Sequence, residues 1–262
     1  WDEASNYVRP PPFAAGGQPG RLGFYRARPL LVLGDDITTD HISPAGAIPP
    51  GSDAGAHLAG RGEDPRDLNV FAARRGNWEV MRRGLYTNRT VRNLLDPTLA
   101  PGTARHLPSG ETLPLWQAAE RYRAEDVPTV ILAGERYGAG SSRDWAAKGV
   151  ALLGVRAVLA ASFERIHRAN LAGMGVLPVR LPPDRHPAAL ALAPQDWIEI
   201  DAPRESLRPH GPVSIRICRA DGSIDLFEAG AAIETALELD ILKAGGVMPL
   251  MIDRAVRSTL PA

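Results

Sequence analysis

The chain has 262 residues, a length that fits one large domain or two small ones and allows a well-buried apolar core. Thirty Lys and Arg residues balance thirty Asp and Glu residues, so a net charge of zero gives no overall attraction to nucleic acid or to an anionic membrane. With 44% hydrophobic and 23% charged residues, the composition is that of a folded globular protein and excludes a disordered or fibrous one.

The only cysteine is Cys218, which excludes an internal disulfide framework and a Cys-rich metal or cluster site held by this chain alone. The most apolar stretch, residues 150–163, is too short to cross a bilayer and contains Arg156. These features predict a cytoplasmic protein that does not use a membrane.

Proline and glycine clusters mark the beginning of the chain. Residues 1–28 leave no periodic segment for a helix or a strand, so they are predicted to be a linker, and residues 29–262 are predicted to form one domain. A short buried strand at 29–34 runs into a polar loop at 35–44. Loops at strand ends often carry chemistry, so this loop is a candidate site region.

The middle of the chain alternates strand and helix patterns. Buried strands are predicted at 127–133, 155–160 and 176–181. Helices are predicted at 115–124, 144–153 and 163–173. Because strands and helices alternate, a small parallel sheet with crossover helices is expected.

The last third of the chain has a different pattern. Apolar and polar residues alternate at 213–217, Asp221-Gly222 is a hairpin turn signal, and a second strand is predicted at 224–227. Apolar residues one helical turn apart at 233–241 predict a helix that Gly245-Gly246 ends.

A glycine-rich loop at 134–143 joins a predicted strand to a predicted helix. Its backbone N–H groups and the helix dipole would face an anion, the hydroxyls of Ser141 and Ser142 can donate or accept, and the Arg143 guanidinium can bind a carboxylate with two hydrogen bonds. The alternative is a tight turn in which Ser142 only caps the helix. A dinucleotide fingerprint is disfavoured because its third glycine is missing.

Two groups of polar residues stay ambiguous at this level. Asp40 beside His41 could form an acid and base pair. Alternatively, these side chains and Ser43 could form hydrogen bonds to the backbone of their own loop. His167, in the predicted helix 163–173, is interpreted as a hydrogen-bonded structural histidine rather than a ligand.

Arginines are concentrated between residues 61 and 92, a segment that contains eight arginines and four acidic residues. Paired arginines such as Arg74-Arg75 and Arg82-Arg83 usually lie on solvated helix faces. The individual arginines of this segment therefore have no role that composition alone assigns.

Four segments together carry a family resemblance. They are GDDITTDHISPAG at 34–46, RRGN at 74–77, LAGERYGAGSSRDWAAKGVALLG at 132–154 and SFERIHRANLAGMGVLP at 162–178. They closely resemble the C-terminal swivel domain of the aconitases, of the cytosolic or bacterial aconitase A and iron-regulatory-protein type. Residues 1–13 resemble the interdomain linker of that family.

This resemblance implies a fold and an activity. The fold would be α/β, a swivel-type three-layer domain with a small parallel sheet and crossover helices, plus a C-terminal hairpin and helices. The activity would be that of the C-terminal part of an aconitate hydratase, a hydro-lyase that interconverts citrate and isocitrate through cis-aconitate. The family's 4Fe-4S cluster is held by three cysteines upstream, so N-terminal cluster-binding domains or a separate large subunit would be the partner.

The same resemblance implies roles for individual residues. Ser141 matches the catalytic base that removes a proton next to a carboxylate. The other matched positions are the substrate-binding Arg61, Ser142 and Arg143 and the supporting Asp40 and Ser43. No metal ligand is expected in this chain.

Three alternatives stay open. A related hydro-lyase would act on 2-methylcitrate, isopropylmalate or homocitrate. An iron-regulatory-like module would bind RNA through the 61–92 segment, although the zero net charge disfavours it. A third alternative is a noncatalytic carboxylate-binding module.

Overall fold

A computed structural model describes residues 2–14, 22–141 and 143–259. Seven strands form a closed barrel in the order β1-β4-β5-β6-β9-β8-β7, and two further strands, β2 and β3, form a separate hairpin. Helices cover part of the barrel. No helix in the described ranges is long and apolar enough to cross a bilayer.

The strands are β1 Gly23–Val32, β2 Thr103–Arg105, β3 Thr112–Pro114, β4 Thr129–Ala133, β5 Val155–Ala160, β6 Leu177–Arg180, β7 Trp197–Ala202, β8 Pro212–Cys218 and β9 Ile224–Ala231. The helices are α1 Thr39–Ile42, α2 Asp53–Gly60, α3 Trp78–Arg83, α4 Leu115–Ala124, α5 Trp145–Leu152, α6 Arg165–Gly173, α7 Pro187–Leu190, α8 Ala236–Lys243 and α9 Val247–Thr259. Short 3-10 helices lie at Pro12–Ala14 and Phe71–Arg74.

The predicted alternation of strands and helices is confirmed. Strands β1, β4, β5 and β6 pair in parallel in that order, with α5 and α6 as the crossovers between β4, β5 and β6. Every residue of β4 is buried, as expected for a strand covered on both faces. The predicted C-terminal hairpin is also present. Strands β8 and β9 pair antiparallel, from the Pro212–Gly230 pair to the Cys218–Ile224 pair, and the turn at Asp221-Gly222 joins them.

The closed barrel corrects the expectation of a three-layer domain. The first half of β1, Gly23–Ala27, pairs antiparallel with β7, and its second half pairs in parallel with β4. At the other side, β6 pairs with both β5 and β9. The β7-β8-β9 meander therefore joins the two edges of the parallel sheet, so the described seven-stranded sheet has no free edge.

Side-chain alternation divides the apolar residues into two large clusters. On β4, Val130 and Leu132 belong to a cluster with residues of all the barrel strands, which fills the interior. Ile131 and Ala133 face outward and pack in a second cluster with apolar residues of α4, α5 and α6. The helices therefore lie on the outside of the parallel part of the barrel.

The N-terminal segment differs from the prediction in its extent. The linker was expected to run to residue 28, but β1 begins at Gly23. The strand starts earlier because the side chains of Tyr25 and Ala27 pack in the barrel interior. Residues 1 and 15–21 lie outside the described ranges.

The RRGN motif anchors residues 2–14 to the domain. The Arg74 side chain is fully buried, which corrects the expectation of a solvated face. Its guanidinium pairs with the Glu63 carboxylate at 2.9 Å, donates to the Asn6 carbonyl at 3.2 Å and lies 3.9 Å from the centre of the Tyr7 ring. The Asn77 side chain also donates to the Asn6 carbonyl, at 2.9 Å. These contacts hold the segment in a single position.

Arg74→Met is expected to lower the free energy of unfolding by about 3 kcal/mol, because it leaves the Glu63 carboxylate without its cation and removes the hydrogen bonds from the guanidinium to the Leu68 carbonyl. Denaturant unfolding measures the change. The matched control is Arg75→Met, since Arg75 is the adjacent arginine and is exposed, and its effect should stay within about 0.5 kcal/mol. Equal losses in the two variants would contradict a specific role for the buried guanidinium.

Candidate functional site

The candidate site lies where parallel strands end. The carboxyl ends of β1, β4 and β5 share one edge of the barrel, and each runs into a loop there. These are residues 33–38, residues 134–143, which we name the serine loop, and residues 161–164. The three loops are therefore brought together by the strand order alone.

Backbone hydrogen bonds hold the serine loop between the other two loops. The Gly138 N–H donates to the Ile37 carbonyl at 2.7 Å, and the Thr39 N–H donates to the Ala139 carbonyl at 2.9 Å. On the other side, the Tyr137 N–H donates to the Ser162 carbonyl at 3.0 Å. The loop is thus fixed by both of its neighbours.

These bonds limit the predicted anion cradle. The N–H groups of Tyr137, Gly138 and Ala139 already donate to protein carbonyls, so they are not available to a ligand. Any amides that bind an anion must come from the residues that follow Ala139, next to the N-terminus of α5. The cradle expected from the sequence is therefore shorter than the glycine-rich loop.

A buried pair of tyrosines supports the loop from below. The hydroxyl groups of Tyr137 and Tyr86 are 2.7 Å apart, and both side chains are inaccessible to solvent. Burial raises the pKa of each phenol, which keeps both tyrosines neutral. Tyr137 therefore serves as an anchor for the loop rather than as a proton donor or acceptor at neutral pH.

Ser141 is exposed and lines a small cleft, as the prediction requires of a reactive hydroxyl. The cleft lies between α1, the serine loop and the start of α6. Residues lining it include Thr39, Gly140, Ser141, Arg143, Glu164 and His167. Ser142 lies outside the described residues.

Arg143 and Asp40 form an ion pair beside this cleft. The Arg143 side chain is 20% exposed and that of Asp40 is 61% exposed, so the pair opens to solvent on the Asp40 side. It links the serine loop to α1. The structure thus brings together three of the predicted site residues: Ser141, Arg143 and Asp40.

Ser43 and His41 stabilise α1. The Ser43 N–H donates to the Thr39 carbonyl at 2.9 Å and ends the helix, and the Ser43 side chain is buried. The His41 Nδ1 accepts from the Thr38 N–H at 3.0 Å, so the ring proton lies on Nε2, 3.1 Å from the Thr90 hydroxyl. His41 thus closes the loop on its own backbone, and the Ser43 N–H ends the helix that carries Asp40.

Arg61 does not join this cleft in the structure. Its Nε donates to the Asn6 side chain at 2.6 Å and its guanidinium to the Glu3 carbonyl at 2.9 Å. It is not among the residues that line the Ser141 cleft. Arg61 at the end of α2 therefore binds the N-terminal segment, so its predicted role in a substrate clamp with Arg143 has no support from this geometry.

His167 is buried as predicted, but the expected hydrogen bonds are missing. Neither ring nitrogen has a hydrogen-bond partner within the described ranges. Desolvation lowers the pKa of His167 to about 3, so the ring is neutral at physiological pH. The described residues therefore supply no partner for the hydrogen-bonded histidine that the sequence predicts.

Sequence reasoning missed two carboxylates that bind the base of the serine loop. Asp35 accepts from the Glu135 N–H at 2.7 Å, and this bond, followed by the one from His186, lowers the pKa of Asp35. Asp36 forms a two-bond ion pair with Arg136 at 2.6 and 2.7 Å. The only signal was the adjacent pair of acids after β1, which does not identify its partners one hundred residues later.

The described part of the chain offers no site for an iron-sulfur cluster. Such a cluster needs three or four thiolates, and Cys218 is the single cysteine of the chain. No group of three His, Cys, Asp or Glu side chains in the described ranges is placed to hold a metal ion. Burial, followed by the Glu199 carboxylate, raises the pKa of the Cys218 thiol, which disfavours the thiolate that a metal requires.

Gly138 is the position where the site depends most on the absence of a side chain. Its φ is +86°, and a Cβ atom there would lie 2.2 Å from the His167 ring. Gly138→Ala is expected to displace the serine loop and to lower the free energy of unfolding by about 2 kcal/mol.

Denaturant unfolding and amide hydrogen exchange of the Thr39 and Gly138 N–H groups check this expectation. Faster exchange at both amides should accompany the lost stability. Gly46→Ala is the matched control, because its φ is ordinary and no atom lies within 4 Å of the place that a Cβ would take there. If Gly138→Ala behaved like this control, the close contact would not constrain the loop.

Comparison with known proteins identifies the family. The model of the aconitase C-terminal domain family matches residues 55–184, a range that includes Arg61 and the serine loop. Aconitate hydratase A of Pseudomonas aeruginosa is 45% identical over 251 residues, which cover 95% of this chain and 28% of that protein. The corresponding protein of Thermus thermophilus is 47% identical over 253 residues, covering 96% and 28%.

Two further proteins widen the comparison. Phosphinomethylmalate isomerase of Streptomyces viridochromogenes is 45% identical over 256 residues, or 96% of this chain and 28% of that protein. A crystal structure of 3-isopropylmalate dehydratase from Methanocaldococcus jannaschii aligns with a TM-score of 0.41 and 20% identity, covering 90% of this chain and 98% of that one.

The chain spans little more than a quarter of the length of the curated relatives named above, at 28% of each. The alignments with these relatives cover 95% or more of this chain. The resemblance carried by the GSSRDW and RRGN segments is therefore confirmed, and the chain belongs to the aconitase family, in which it corresponds to the C-terminal domain.

Proposed function

We propose that this chain is the C-terminal swivel part of an aconitate hydratase and contributes a serine base and an arginine to the dehydration of citrate and the hydration of cis-aconitate. The observation that carries the proposal is the position of Ser141, exposed on a fixed loop and lining one cleft with Arg143. Family membership supports the same activity class, a hydro-lyase.

In this mechanism Ser141 removes a proton from the carbon next to a substrate carboxylate. The electron pair of that C–H bond becomes the C=C bond, and the hydroxyl group on the neighbouring carbon leaves. A serine alkoxide needs nearby N–H donors or a cation. Arg143, two residues after Ser141, supplies the cation, and the N-terminal end of α5, which begins at Trp145, supplies a positive dipole.

Arg143 also binds a substrate carboxylate. A guanidinium has five N–H donors, so it can keep its bond to Asp40 and still bind a ligand oxygen. Asp40 then fixes the orientation of Arg143, which is the supporting role that the sequence predicts for it. Ser142 is proposed to bind the substrate next to these residues, and Arg61 is proposed as a substrate-binding arginine only if the N-terminal segment releases it.

The rest of the enzyme lies outside this chain in our proposal. The 4Fe-4S cluster would be held by cysteines of N-terminal domains of the same protein or of a separate large subunit, and the reaction would take place in the cytoplasm. The single Cys218 of this chain cannot replace those ligands. The group that protonates the departing hydroxyl also belongs to the missing part.

The substrate is proposed to be a tricarboxylate, with citrate preferred. A second candidate is a related polycarboxylate, because the relative named phosphinomethylmalate isomerase is as similar to this chain, at 45% identity, as an aconitate hydratase A. Substrate profiling of the assembled enzyme with citrate, 2-methylcitrate, homocitrate and isopropylmalate distinguishes these candidates.

RNA binding has weaker support. In the 61–92 segment, Arg74 and Arg82 are buried and paired with Glu63 and Glu120, so they are not free to contact phosphates. The zero net charge points the same way. Retardation of a hairpin RNA that weakens with salt and disappears with citrate would favour this alternative.

Ser141→Ala is expected to lower kcat by about two to four orders of magnitude, because it removes the base. The dissociation constant of citrate should change little, since the Arg143 guanidinium stays. Turnover and citrate binding are measured with the cluster-bearing domains present. Ser223→Ala, in the exposed hairpin turn, is the control and should keep full activity. Near-normal turnover in Ser141→Ala would refute the proposed base.

Arg143→Lys is expected to raise KM for citrate by about one to two orders of magnitude, because an ammonium group cannot reproduce the two-pronged contact. Steady-state kinetics measure it. Arg136→Lys is the matched control, since Arg136 lies on the same loop and pairs with Asp36 on the exposed side, and its KM should stay within about twofold. An unchanged KM in Arg143→Lys would remove Arg143 from the clamp.

A further inference from the structure

His167 lies directly beneath the serine loop. It is on α6, only 2% of its surface is accessible to solvent, and its ring centre is 5.1 Å from that of Tyr137. The Gly138 backbone approaches the ring so closely that no side chain fits between them. His167 also lines the cleft that contains Ser141.

The hydrogen-bonding groups of His167 are unused by the described residues. Both Nδ1 and Nε2 are buried without a partner there, whereas the buried His106 bonds its Nδ1 to the Ser109 hydroxyl at 2.8 Å. An aromatic ring of carbon atoms would fill the same space without stranding two polar atoms. Buried polar atoms normally have a partner, either protein or water.

A third unpaired polar atom belongs to a residue that lines the same cleft. The Thr39 side chain is buried, and its Oγ1 has no hydrogen-bond partner in the described ranges. Thr39 is at the start of α1, and its Oγ1 lies 3.6 Å from a Cβ built at Gly140. Thr39 and His167 therefore line one small cleft, which has room for about one water molecule.

The protonation state of His167 gives the space both a donor and an acceptor. Because desolvation keeps the ring neutral, one nitrogen carries a proton and the other a lone pair. The Thr39 hydroxyl adds a group that can donate or accept. The two ring nitrogens point in different directions, so one of them bonds to a given oxygen atom, and the Thr39 hydroxyl supplies the second hydrogen bond to it.

We propose that His167 and Thr39 hold one oxygen atom, from an ordered water or from a hydroxyl or carboxyl group of the ligand, beneath the serine loop, and that His167 is thereby a positioning residue for Ser141. This inference rests on the proposed function in what it says about Ser141. The bound oxygen fixes the rotation of the histidine ring that supports Gly138. It also gives the Ser141 hydroxyl a hydrogen-bonding neighbour within the cleft.

Kinetics of the complete enzyme test the positioning role. His167→Phe is expected to lower kcat about tenfold or more with KM changed less than about threefold, while the melting temperature is unchanged or higher. His167→Gln, whose amide restores a donor and an acceptor, should recover part of the lost kcat. His106→Phe is the matched control, a buried histidine outside the cleft, and should keep full turnover.

Full kcat in a folded His167→Phe enzyme would overturn the positioning role, since a ring that only fills space is replaced by phenylalanine without loss. If His167→Phe does not fold, Thr39→Val removes the other half of the pair and should lower kcat in the same direction. Loss of turnover in Ser141→Ala together with full turnover in His167→Phe refutes this inference and keeps the proposed function. Full turnover in Ser141→Ala refutes both statements about Ser141.

A high-resolution crystal structure of the enzyme, with and without citrate, tests the bound oxygen independently of activity. An oxygen within about 3.2 Å of a His167 ring nitrogen and of the Thr39 Oγ1 is expected. If it is present without citrate it is water, and if it appears only with citrate it belongs to the ligand. A dry cleft in both structures, or a protein atom bonded to the ring nitrogen, would overturn the proposal.

Discussion

Contact between the Gly138 backbone and the His167 ring sets the position of the serine loop, and the site depends on it. Gly138 can approach the ring only because it has no side chain and adopts a positive φ. Its N–H then reaches the Ile37 carbonyl, at 2.7 Å, and joins the loop to the residues after β1. Ser141 and Arg143 follow this fixed point and line the cleft, so the position of the Ser141 hydroxyl depends on the packing of Gly138 against His167.

Closure of the barrel makes this contact possible. The parallel pairing of β1, β4 and β5 places three loops at one edge, and the antiparallel β7-β8-β9 meander holds the edges of that sheet in place. Strand β1 pairs with both β4 of the parallel sheet and β7 of the meander. This double pairing fixes residues 33–38 beside the serine loop. A rigid barrel with the chemistry on its loops is a common arrangement for enzymes.

Arginines of the two family motifs serve different purposes for a physical reason. Arg74 is buried, so its charge must be neutralised, and Glu63 and backbone carbonyls do this within the domain. Arg143 is partly exposed and pairs with Asp40 at the surface, where water competes for the guanidinium. The first arginine therefore stabilises the N-terminal segment, and the second stays accessible to solvent.

Local pattern alone determined the crossover helices, the buried parallel strands, the C-terminal hairpin and the glycine-rich loop with Ser141, since each depends on residues close together in the chain. Tertiary structure decided the barrel closure, the burial of Arg74, the attachment of Arg61 to residues 2–14 and the unpaired ring of His167. Each of these depends on partners dozens of residues away, and periodicity along the chain carries no information about which distant groups will satisfy, or leave unsatisfied, a buried charge or ring nitrogen.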